Sequence, residues 1–211
     1  MVPEAIRIRF TKTGRLRYIS HLDLCRTMCP AMIRSKIPLW YTEGFNPHPK
    51  MVFAQPLPLF VESRCELLDI KITEEMSHEE LTKRLREAFT DELYVEEVYT
   101  PTEKFSEIAF AEYEIKGLGI SSQNVETLLS GELKIVKNTK SGQKLIDIRP
   151  QVKSVDVLDD GAFKCVLSAS AESYLNPDIF CKAVSAKLGR SEPDVDITRV
   201  AWYRSDMTLF R

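Results

Sequence analysis

Residues 6–10, IRIRF, alternate apolar and charged side chains with a period of two. Ile6, Ile8 and Phe10 fall on one face of a predicted strand, and Arg7 and Arg9 on the other. After a basic turn, TKTGRLRY, the residues SHLD open a predicted helix. Ser20 suits the N-cap, and Asp23 three residues on completes a box-like pattern. Leu22, Cys25, Cys29 and Met32 give that helix an apolar stripe, and Pro30 is expected to kink it or end its regular part. IPLWYTEGFNPHPK reads as a strand and then a loop, and MVFAQPLPL as a strand running into a proline-rich turn. ELLDIKI alternates again, with Leu68, Ile70 and Ile72 on one face. SHEELTKRLREAF is a charged amphipathic helix with Leu81, Leu85 and Phe89 inward, and ELYVEEVYT is a last strand.

The same succession returns after a junction near Pro101 to Ser106. FAEYEIKGL, ELKIVKNT, KLIDIRP, KSVDVL, AFKCVLSAS and ITRVAWYRS read as strands. SQNVETLLSG and NPDIFCKAVSAKLG read as helices, the second with Pro177 near its start and Gly189 at its end. The expected fold class is α+β: two tandem ferredoxin-like units of βαββαβ type with antiparallel sheets, residues 1–103 and 104–211. The duplication rests on pattern, because no residue identities repeat.

Composition adds charge asymmetry. The chain has 211 residues, 44% hydrophobic and 28% charged, with a net charge of −2. Residues 1–50 carry nine Lys/Arg against three Asp/Glu, or +6, and the remainder carries −8. A basic segment of this kind either meets a polyanion or is neutralised by the acidic remainder folding back on it. No apolar run approaches the ~20 residues that span a bilayer, and MVPEAIRIRF has no signal-peptide core, so a cytoplasmic protein without membrane contact is expected. The five scattered cysteines suit reduced thiols, and without a CxxC pair no metal site is expected.

Candidate chemistry gathers in the first unit. The turn from Lys12 through Arg15 and Arg17 leads into a helix N-terminus, where free N–H groups favour anions. Arg9 lies on the open face of the first strand, where basic side chains suit a phosphate backbone. Arg7 shares that face, but Asp69 or Glu66 on a neighbouring strand can pair with it instead. His48 sits in GFNPHPK between two prolines that stiffen the backbone on both sides. If the following strand returns beside the first, His48 approaches His21, and three readings stand open. His21 and His48 form an acid/base pair, with Lys50 stabilising charge, for metal-independent RNA cleavage. Or His21, Asp23 and His48 bind a metal, a reading weakened because positions i and i+2 of a helix do not face each other. Or both histidines belong to a binding surface with Tyr18, Trp40, Tyr41 and Phe45.

RIRFTKTGRLRYISHLDLCR and YTEGFNPHPKMVFAQPLPL together resemble a bacterial family, the radical-SAM-associated domain of unknown function. The resemblance is strongest over residues 5–72 and continues weakly to the end. It implies a domain that stands beside, or is fused to, a radical-SAM protein. That partner would carry the iron–sulfur cluster and S-adenosylmethionine, and this chain no cofactor. The family brings no assigned reaction; the expected role is an RNA-binding, substrate-presenting module in tRNA or rRNA modification, against a metal-independent RNA endonuclease using His21 and His48 or a protein-interaction domain without nucleic acid. Arg9, Lys12, Arg15, Arg17 and Lys50 would hold phosphates, and His21, Asn46 and His48 a base or sugar. Cys29-Pro30-Ala31-Met32 stands where the family usually carries more arginine. Thr42-Glu43 replaces a serine and glutamine, and Phe60 replaces a glycine often found after PLPL.

Overall fold

The structure, a computed structural model, describes residues 4–139, 142–158, 161–191 and 193–211. It divides into two compact units, one running through Phe105 and including Arg211, the other Ser106–Phe210. The first comprises β1 (Glu4–Lys12), a 3-10 turn (Gly14–Tyr18), α1 (His21–Arg34), β2 (Met51–Phe53), β3 (Val61–Ile72), α2 (His78–Ala88) and β4 (Val95–Tyr99). Its strands lie in the order β4-β1-β3-β2, each neighbouring pair antiparallel. The period-two residues explain the layering. Ile6, Ile8 and Phe10 of β1 and Leu68, Ile70 and Ile72 of β3 bury against Leu24, Met28 and Met32 of α1 and Leu81 and Leu85 of α2.

Pro30 does not end α1, and the expected apolar stripe is corrected. The helix runs on through Pro30 to Arg34, and its buried residues are Leu24, Met28, Ala31 and Met32. Leu22 is exposed, and Cys25 and Cys29 are only half-buried. Residues 24, 28, 31 and 32 follow helical spacing and offer the larger apolar face. That face packs on both sides of Pro30, which holds the helix together despite the hydrogen bond that proline removes.

The second unit comprises β5 (Phe110–Lys116), α3 (Ser122–Leu129), β6 (Lys134–Thr139), β7 (Gly142–Asp147), β8 (Val152–Val157), β9 (Phe163–Ser168), α4 (Pro177–Lys187) and β10 (Asp196–Tyr203). Its sheet order is β10-β5-β9-β8, again antiparallel throughout, while β6 and β7 pair as a separate hairpin. With that hairpin set aside, each unit has the order fourth-first-third-second. The protein is therefore α+β, and on this order we propose the ferredoxin-like designation for both units. In the second, the Arg199 guanidinium is buried 4.2 Å above the Trp202 ring. Cys165 and Cys181 are buried free thiols, and burial pushes the Cys181 thiol up to about 12.

Candidate nucleic-acid interface

The basic residues of β1 are committed to the fold. Arg7 is 1% exposed and faces Asp69 across the β1–β3 ladder. Its Nε donates to Asp69 Oδ1 at 2.7 Å and its Nη2 to Oδ2 at 2.9 Å. Two further bonds go to the carbonyls of Arg211 and Glu103, and the guanidinium lies 4.2 Å from the Phe105 ring centroid. Arg7 thus ties the end of the first unit to its sheet. Arg9 is half-buried and stands opposite Glu97 of β4. Lys12, expected to hold a phosphate, is buried at 1% exposure with its Nζ donating to the Ile19 carbonyl. The reason is parity: Lys12 continues the inward series Ile6, Ile8, Phe10.

The turn before α1 is filled from within. The Gly14 N–H donates to Glu62 Oε1 at 3.0 Å and the Arg15 N–H to Glu92 Oε1 at 2.9 Å. These carboxylates take up N–H groups of the turn itself, ahead of the α1 N-terminus where an external anion was expected. Ser20 caps α1 by accepting from the Asp23 N–H, and its hydroxyl donates to the Asp23 carboxylate at 2.6 Å. That hydroxyl bond, ahead of Arg26, holds the Asp23 carboxyl below its ordinary range.

His21 and His48 do not share a site. The His21 ring meets Phe53 edge-on, with centroids 5.0 Å apart, and its Nε2 lies 3.6 Å from Cys25 Sγ. Burial lowers its pKa; the negative charge of Glu66 raises it, and the positive charge of Lys12 lowers it again. His48 belongs to a different end of the sheet. Thr42 and His48 are joined by a backbone bond of 2.9 Å and the Lys50 N–H donates to the Trp40 carbonyl, closing the loop as a small hairpin. The His48 Nδ1 lies 3.1 Å from the Asn46 carbonyl and 3.2 Å from the Thr42 hydroxyl, so the ring is held by the loop's own groups. Because β2 pairs Met51 with Ile70 and Phe53 with Leu68, it carries the chain from the loop toward His21. At ~3.3 Å per residue, the five steps from His48 to Phe53 separate the two rings by roughly 15 Å. Strand direction therefore corrects both the acid/base pair and the metal site that joined them. Among the described residues no group of three His, Cys, Asp or Glu side chains is placed to hold a metal ion, and no helix is long and apolar enough to cross a membrane.

A surface that the sequence did not single out lies beside the turn. Phe60 has φ 67°, in the left-handed region that non-glycine residues avoid, and its side chain is 61% exposed. The backbone is held there from both sides: the Phe60 N–H donates to the Arg17 carbonyl at 2.8 Å, and Arg17 Nε donates to the Phe60 carbonyl at 3.1 Å. Its ring meets Tyr18, also exposed, at 6.0 Å and 70°. Arg15 stands nearby with its side chain 92% exposed and Glu92 at 3.7 Å. Arg17 is largely covered and lies 4.0 Å from Glu62. The result is an exposed aromatic pair on a hydrogen-bonded turn, with the exposed Arg15–Glu92 ion pair beside it. The family glycine expected at position 60 was the available signal, because glycine marks positive φ. Of the loop candidates, Asn46 and Lys50 are exposed at the opposite end with His48, and the Phe45 side chain at the loop tip is fully exposed.

A family model described as an uncharacterized protein conserved in bacteria (DUF2344) matches residues 5–177, and the chain belongs to that family. No curated protein matches it. Among solved structures, a chain of a Cbf5-Nop10-Gar1 complex is similar, with a TM-score of 0.51 and 12% identity. The match covers 93% of this chain and 48% of the other, so this chain spans about half the length of its structural neighbour. The likeness is one of fold.

Proposed function

We propose that this member of the bacterial family is an RNA-binding accessory module that presents tRNA or rRNA to a radical-SAM protein, and that unpaired bases stack on the Tyr18–Phe60 edge. Phe60 carries the reading. A phenylalanine at φ 67° bears left-handed strain that glycine would escape, and its exposed ring gains little packing in return. A stacking platform for bases accounts for both costs, since every base has a π-face and aromatic stacking tolerates sequence. Arg15, exposed at the same turn, would meet the phosphate beside the stacked base. The radical-SAM partner rests on the sequence resemblance, and the fold likeness to a Cbf5-Nop10-Gar1 chain lends the reading no residue.

Binding of purified protein to small RNA across a salt titration tests it. With Arg15 as the exposed cation at the platform and Arg17 committed to Phe60 and Glu62, the expected slope of log K against log salt is about −0.7, the value for one phosphate of a single strand. Arg15→Ala should remove most of that slope. Absence of RNA binding at low salt, together with salt-insensitive capture of the purified radical-SAM protein, would replace this reading with a protein-interaction domain.

A further inference from the structure

Lys36 is a second residue in the left-handed region, at φ 55°. It follows the C-cap Ser35 of α1, where helices commonly place glycine. Its exposed side chain lines a cleft of about 570 Å³ between the ends of α1 and α2, with Arg34, Lys83, Arg84, Glu80 and Glu87. Four cations face two acids, a surplus of +2 in a chain whose net charge is −2. The two arginines have structural work: Arg34 Nη2 donates to the Ala88 carbonyl at 3.1 Å and Arg84 Nη1 to the Lys36 carbonyl at 2.9 Å. Glu80 is taken by Arg84 at 2.6 Å. Lys36 and Lys83 differ. Among the described residues neither ammonium makes a hydrogen bond or a close ion pair, and Lys83 acts on Glu80 only through space. The C-cap position accounts for the left-handed backbone of Lys36; it does not account for a second lysine, Lys83 of α2, lining the same cleft.

We propose that this cleft binds a phosphate group, held by Lys36 and Lys83 and by the remaining N–H groups of Arg34 and Arg84. The lysines supply point charges and the arginines a planar fork already fixed by its carbonyl bonds. The group comes either from a small phosphorylated molecule or from an RNA backbone, and the cleft lies apart from the Tyr18–Phe60 platform, so the inference does not depend on it.

Thermal unfolding tests it, using wild type, Lys36→Gly and Lys83→Ala at matched ionic strength with pyrophosphate, a single-stranded RNA or neither. Without ligand, Lys36→Gly should melt higher than wild type by about 2–4 °C, because glycine relieves the left-handed strain. Pyrophosphate should raise the wild-type Tm, and both variants should lose most of that rise; the RNA arm is run in a Phe60→Gly background, where the platform is absent and the same loss is expected. A rise with pyrophosphate identifies a small phosphorylated ligand; a rise with RNA alone identifies backbone phosphate. Phe60→Gly should leave the pyrophosphate response intact. The proposal is overturned if neither ligand raises the Tm with both lysines in place, if both variants respond as wild type does, or if Lys36→Gly melts lower, which would make the lysine a structural cap.

Discussion

His21 shows how one residue's surroundings set its behaviour. Burial against Phe53 disfavours the imidazolium, and the buried Lys12 does the same, while Glu66 opposes them. The net shift is downward, so the folded state binds fewer protons than the unfolded state below the ordinary histidine range of about pH 6.5. Stability is therefore complete above that range and declines as pH falls through it toward the folded value. Chemical denaturation of wild type and His21→Gln between pH 7.5 and 5 should show a decline in wild type that the variant lacks. A parallel decline in both would remove His21 as the cause. Parity made Arg7 and Lys12 partly legible in advance. The cross-strand pairing of Arg7 with Asp69 followed from the ladder, and Lys12 lay in phase with Ile6, Ile8 and Phe10, although its charge argued for the surface. Phe60 was not legible by pattern, because a left-handed φ leaves no periodic trace.

At the level of elements, the turn and the strand direction decide what meets what. The Gly14 backbone at φ +60° lets its own N–H and that of Arg15 reach Glu62 and Glu92. A Cβ there would lie 2.6 Å from Glu92 Oε1. Gly14→Ala should cost about 1 kcal/mol from the left-handed backbone, read by denaturant unfolding, with more if Glu92 loses its bond. A variant as stable as wild type would show that the turn does not depend on that geometry. The helix start at SHLD was readable because Ser20 caps in the ordinary way. The separation of His21 from His48 was not, because it depends on the register of a three-residue strand, β2, that sequence places only loosely.

Across the molecule, charge asymmetry resolves largely by neutralisation. Acids from later in the chain come back to the basic first segment: Asp69 to Arg7, Glu62 to Arg17 and Glu92 to Arg15. What remains for a partner at the turn is modest in charge and rich in exposed aromatic surface, which is why stacking rather than bulk electrostatics anchors the account. Most strands and helices were readable along both units, but the strand expected at IPLW reduces to isolated bridges at Leu39 and Tyr41, and the separation of β6 and β7 into their own hairpin was not readable. The most direct test is the affinity of a labelled single-stranded RNA for wild type and Phe60→Gly at several salt concentrations, with Tm measured on the same samples. Phe60→Gly should melt as high as wild type or higher, bind RNA more weakly by about 1–3 kcal/mol, and keep the same salt slope. Undiminished affinity in a well-folded Phe60→Gly would contradict a stacking platform there.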